Sequence, residues 1–109
     1  MKASDRYQAQ GVRATCHGAE VEVLDVSLGG FFVASEMPPR YGSGVEFELS
    51  LGGHPPFRVW GTVAWVVSSD DAVAAGRRKG YGVRIQGIGM ADKLALVDFL
   101  RRGGGAPVR

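Results

Sequence analysis

Six consecutive residues, Asp25-Val26-Ser27-Leu28-Gly29-Gly30, hold the densest chemistry in the chain. A carboxylate only accepts hydrogen bonds, so Asp25 suits an edge that presents paired donors, such as guanine N1–H and N2–H. The Ser27 hydroxyl can donate or accept beside it. Glycine allows positive φ and lets a ligand or a second backbone come close, which is what Gly29 and Gly30 offer. Alternation along a strand places Asp25 and Ser27 on one face and Val26 on the other. The same residues also fit a plain Asx or Ser turn between two strands. A second candidate is the pair Lys2 and Arg6, four residues apart ahead of the first apolar run. The arginine fork can clamp a phosphate, read guanine O6/N7 or stack on a base, whereas lysine supplies charge without the fork. Taken alone, the pair also reads as two solvated charges.

Other constellations carry less. Cys16 and His17 are adjacent, so on a strand they point to opposite faces, which fits a buried thiol beside a turn histidine better than a nucleophile with its base. His54 sits in a Gly-Pro loop, and Asp70-Asp71 reads as a solvated acid pair. Histidines at 17 and 54 with a cysteine at 16 have no zinc-type spacing. The chain lacks GxSxG and GxxxxGK[ST], and Gly87-Ile88-Gly89 lacks the third glycine of a dinucleotide fingerprint, so it reads as a turn. No catalytic residue, metal site or cofactor is expected, and the chain does not read as an enzyme.

The elements that must position these residues are short. Tyr7 to Cys16 is the first apolar run, and His17-Gly18 is a turn. Ala19 to Val26 follows, with Val21 and Val23 on one face and Glu20, Glu22 and Leu24 on the other. Phe31 to Ser35, Val45 to Leu51, Phe57 to Ser68 and Tyr81 to Gln86 complete six strands. In the longest, Phe57, Val59, Gly61, Val63, Trp65 and Val67 share a face, which leaves Trp60 either outside or under a helix. Met90 to Arg102 is the helix: Met90, Leu94, Val97 and Leu100 recur at helical spacing, and Leu96 and Phe99 widen the apolar face. Six strands and a closing helix predict a mainly β fold, a small antiparallel barrel with one C-terminal α-helix.

Composition agrees with a small globular domain. The chain has 109 residues, 45% of them hydrophobic and 22% charged, which argues against global disorder. Glycine accounts for 17 residues, without a collagen period. No apolar stretch approaches the ~20 residues of a membrane helix. One cysteine cannot form an internal disulfide, which fits a reducing, cytoplasmic setting. The 13 basic and 11 acidic residues nearly cancel to a net charge of +2. Arg77-Arg78-Lys79 and Arg101-Arg102 are therefore expected to be solvated rather than part of a DNA or RNA surface.

Taken together, these features resemble the PilZ domain, the bacterial cyclic di-GMP receptor module. Asp25-Val26-Ser27-Leu28-Gly29-Gly30 matches that family's [D/N]xSxxG motif at every defined position. Phe31-Phe32-Val33, Gly61 to Val66, Gly80 to Ile85 and the closing helix fall in the family's order. The first family motif, RxxxR, appears as KxxxR on Lys2 and Arg6. A second register, RxxxQ on Arg6 and Gln10, would leave the opening strand too short to pair fully. The resemblance implies a six-stranded antiparallel β-barrel and helix over residues 7–102. A flexible ligand-binding segment at 1–6 would precede it, and a disordered tail at 103–109 would follow. It also implies a cyclic di-GMP site on Lys2, Arg6, Asp25, Ser27, Gly29 and Gly30. Arg6 would grip phosphate or the guanine Hoogsteen edge, Lys2 would act as a point charge on phosphate, Asp25 and Ser27 would hold a guanine edge, and Gly30 would leave room for it. The expected function is that of a stand-alone cytoplasmic receptor, without membrane insertion, that hands its signal to an unidentified protein effector. The alternative is a module of the same fold that works through protein contacts without cyclic di-GMP.

Overall fold

The computed structural model describes residues 7–8, 11–52, 54–68 and 78–102. Lys2, Arg6, Gln10, the acid pair at 70–71, Arg77 and the tail at 103–109 lie outside these residues. The strands are β1 (Tyr7–Gln8), β2 (Val12–Cys16), β3 (Ala19–Val26), β4 (Gly30–Ala34), β5 (Gly44–Leu51), β6 (Phe57–Val67) and β7 (Gly80–Ile88), followed by helix α1 (Met90–Arg101). All pairings are antiparallel and run β3–β2–β5–β6–β7–β4, with β4 returning to β3. That return closes a six-stranded barrel, as expected, and the closed ring leaves no long edge strand among the described residues.

The opening apolar run is two strands rather than one. The two-residue β1 pairs with the far end of β3, Tyr7 opposite Val26 and Gln8 opposite Asp25, while β2 pairs Ala14 with Val21. Gly11, between them, holds φ +79°, a left-handed conformation that interrupts a ladder. The β2–β3 turn is confirmed at His17-Gly18. Both residues have positive φ, 52° and 79°, which is the type I′ geometry that matches the twist of a two-residue hairpin. Residues 87 and 88 correct the expectation of a turn there, because β7 continues to Ile88 and pairs it with Val59.

The barrel interior holds one contiguous core. Phe31 and Phe47 meet edge to face at 5.0 Å near its centre, and α1 closes it with Leu96 and Leu100. This corrects the expected apolar seam of the helix, because Met90 and Leu94 are 74% and 61% exposed. The cause is angular. His54, in the β5–β6 loop, approaches Asp92 at 3.4 Å, and Asp92, Leu96 and Leu100 recur every fourth residue on the barrel side. Met90 and Leu94 lie two residues from Asp92, about 200° around the axis.

Candidate ligand-binding face

Two irregularities set which side chains face outward. In a regular strand Val23 and Asp25 would share a face. In β3 the pairs Val23–Val33 and Asp25–Phe32 are successive, with Leu24 as the extra residue of a bulge. The bulge keeps Val23 and Val26 in the core and turns Asp25 outward. A second bulge in β6 makes Val63–Val83 and Trp65–Gly82 successive pairs, with Ala64 extra. Trp65 therefore leaves the core face on which simple alternation had placed it. The consequence is an outward row across four strands: Asp25, Phe32, Gly82 and Trp65. Phe32 and Trp65 stack at 6.2 Å between ring centres, with their planes 17° apart. The Trp65 ring fills the space a side chain on Gly82 would need.

The turn after Asp25 is a tightly bonded Ser turn. The Ser27 hydroxyl donates to the Gly30 carbonyl at 3.1 Å and accepts from the Gly29 and Gly30 N–H groups at 3.2 and 3.1 Å. One donor and two lone pairs are thereby all used, and Ser27 is 4% exposed. The Ser27 N–H also donates to the Gly30 carbonyl, at 2.7 Å, and the Ile85 N–H donates to the Gly29 carbonyl, at 2.9 Å. The loop is thus tied both to itself and to β7. Gly30 is buried, and a Cβ there would collide with the Val83 carbonyl. Backbone contact between β4 and β7 is enough to demand glycine at this position, independently of the room expected for a base.

The expected site residues fall into two groups. Asp25, Ser27, Gly29 and Gly30 are brought together on the β3–β4 connection, while Lys2 and Arg6 lie outside the described residues. The sequence reading passed over Arg84. Val83, 1% exposed, and half-buried Ile85 flank it, so Arg84 is turned outward. Its Cα partner across the β4–β7 pairing is Gly30. The signal available in the sequence was the alternation of Gly82, Arg84 and Gln86 against Tyr81, Val83 and Ile85.

The remaining chemistry is structural. Burial pushes the Cys16 thiol up, away from thiolate character. Burial, with the Cys16 charge adding to it, pushes the Tyr81 phenol up to about 12. Among the described residues no group of three or more His, Cys, Asp or Glu could hold a metal, and no helix is long and apolar enough to cross a membrane. An open cleft of about 440 Å³ lies away from Asp25, between the β2–β3 turn and the outer side of β5 and β6. Its wall carries Glu46 and Glu48 against Arg58, which is already paired with Glu46 at 3.6 Å. Trp60 is 54% exposed and rests against Gly87, so it faces outward rather than lying under the helix.

The fold has solved relatives. The structure of the Bacillus subtilis inhibitor of motility MotI/DgrA superposes with a TM-score of 0.67 at 15% identity, covering 94% of this chain and 51% of that one. The chain thus spans about half the length of MotI/DgrA. The Legionella uncharacterized protein Lpg0364 superposes with a TM-score of 0.53 at 12% identity, covering 89% of this chain and 90% of that one. No curated protein matches the sequence. The sequence model of the PilZ domain matches residues 4–102, which takes in every strand and the helix, and the chain belongs to the PilZ domain family.

Proposed function

We propose that this protein is a non-enzymatic cytoplasmic receptor for cyclic di-GMP that passes the signal to a protein partner. The observation that carries the reading is the Asp25–Gly30 turn. It matches the family's second motif in full, and the β3 bulge presents its carboxylate on the outer wall of the barrel beside a stacked aromatic pair. In the proposed complex Asp25 accepts from guanine N1–H and N2–H, Arg6 grips phosphate or the Hoogsteen edge, and Lys2 adds charge. Ser27, Gly29 and Gly30 hold the turn that sets the Asp25 position, and Ser27 reaches a guanine edge by exchanging one of its turn bonds. The segment carrying Lys2 and Arg6 closes over the ligand, so ligand arrival changes the surface offered to a partner.

Isothermal titration with cyclic di-GMP tests the reading directly. Saturable heat with a matching thermal shift supports it, and silence in both at tens of micromolar ligand overturns it. Arg6→Ala is expected to abolish binding. Asp25→Ala is expected to weaken it about 10- to 100-fold, since it leaves guanine donors unpaired. Wild-type affinity in Arg6→Ala would overturn both registers of the first motif, because each includes Arg6. Output is a separate measurement: if exposed Trp60 is part of the partner surface, Trp60→Ala loses partner capture while retaining ligand binding.

A further inference from the structure

The Ser27–Gly30 turn has little left to offer an anion. The N–H groups of Ser27, Gly29 and Gly30 all donate within the turn. That leaves the Leu28 N–H alone in the turn, so a phosphate beside Asp25 takes most of its donors from side chains. The first motif supplies one guanidinium, Arg6, where the family pattern has two.

Three described arginines lie on strands with their side chains outward: Arg13 on β2, Arg58 on β6 and Arg84 on β7. Arg13 is paired with Glu20 at 2.9 Å, and Arg58 with Glu46 at 3.6 Å. Arg84 has no carboxylate partner among the described residues. Its cross-strand neighbours are Gly30 and Thr62, and its outward predecessor on the same strand is Gly82. None of these three positions carries a carboxylate: Gly30 puts no side chain between Arg84 and the turn, and the Trp65 ring lies over Gly82 on the other side. Asp25 and Arg84 lie two strands and two residues apart, a Cα separation of roughly 12 Å from ordinary sheet spacings. Side chains of their lengths can reach the two ends of one bound nucleotide unit from those positions.

We infer that Arg84 is a ligand-binding residue that grips a phosphate of cyclic di-GMP from the β7 side of the turn, supplying the second guanidinium that the first motif lacks. The inference rests on the receptor reading above. Asp25 then reads the base from β3 while Arg84 holds the phosphate from β7, and the hydrogen bond from Ile85 to Gly29 fixes the distance between them. A guanidinium gives two parallel hydrogen bonds to phosphate where an ammonium gives a point charge.

The test compares cyclic di-GMP titrations of the wild type with Arg84→Gln, Arg84→Lys, Arg13→Gln and Arg58→Gln. Arg84→Gln is expected to weaken binding about 10- to 100-fold, with Arg84→Lys intermediate and the Arg13 and Arg58 variants within about twofold of wild type. Arg84→Gln is also expected to flatten the salt dependence of binding, which a packing role would not do. Its melting temperature without ligand should match the wild type, because the side chain is exposed. Wild-type affinity in Arg84→Gln overturns the inference and leaves the receptor reading standing. A wild type that does not bind overturns both, because Arg84 is the group said to restore the missing contact.

Discussion

At the scale of single residues, Ser27 and Gly30 serve the turn before they serve any ligand. The Ser27 hydroxyl has no hydrogen-bonding capacity to spare, and the place of a Gly30 side chain is taken by the β7 backbone. Gly30→Ala is therefore expected to lower stability in urea unfolding by about 1–3 kcal/mol, the cost of overpacking against a backbone that cannot easily give way. A glycine kept only to make room for a base would leave the unfolding midpoint unchanged. The sequence made the motif visible because Asp25, Ser27, Gly29 and Gly30 are contiguous in it. It did not make Arg84 visible, because that residue reaches the turn through the Gly30–Arg84 pairing, 54 positions away in the chain. Alternation along β7 marks Arg84 as outward, but no local pattern says which residue it faces across the strands.

At the scale of elements, periodicity located the strands and the helix but misjudged faces wherever a strand carries an extra residue. Alternation gave the right side for Val59 and Val63 and the wrong side for Trp65, because Ala64 shifts the register between them. One added residue reverses every side chain beyond it, and no composition marks Leu24 or Ala64 as the extra one. The helix was misjudged for a related reason: Met90 and Leu94 are apolar, but the barrel is met by the face defined by Asp92, Leu96 and Leu100. Leu96→Ala should cost about 2–5 kcal/mol in chemical unfolding, whereas Leu94→Ala should stay within about 0.5 kcal/mol of wild type. Equal losses would mean that both residues are core. The His17-Gly18 hairpin offers a gain instead. Asn-Gly is the preferred type I′ pair, so His17→Asn should raise stability by about 0.5 kcal/mol, and a fall in melting temperature would contradict the turn assignment.

At the scale of the whole molecule, the closed ring packs Tyr81 inside the barrel, and this ties stability to alkaline pH. An unfolded tyrosine ionises near pH 10, while the folded phenol holds its proton up to about 12. Between those values the unfolded chain binds fewer protons than the folded one, so stability falls as pH rises through that window. Below it the stabilisation is fully present. Tyr81→Phe should flatten the decline, and an unchanged decline in that variant would assign it to other groups. The two tryptophans divide the molecule in a useful way. Trp65 shares the outward row of Asp25 and is stacked on Phe32, whereas Trp60 lies over Gly87 near the end of β7. The chain has no other tryptophan. A Trp60→Phe protein would therefore carry a single tryptophan, which can be excited selectively over the tyrosines, next to the proposed guanine site. Quenching of its emission would report ligand arrival optically, without a label and in the same sample used for titration.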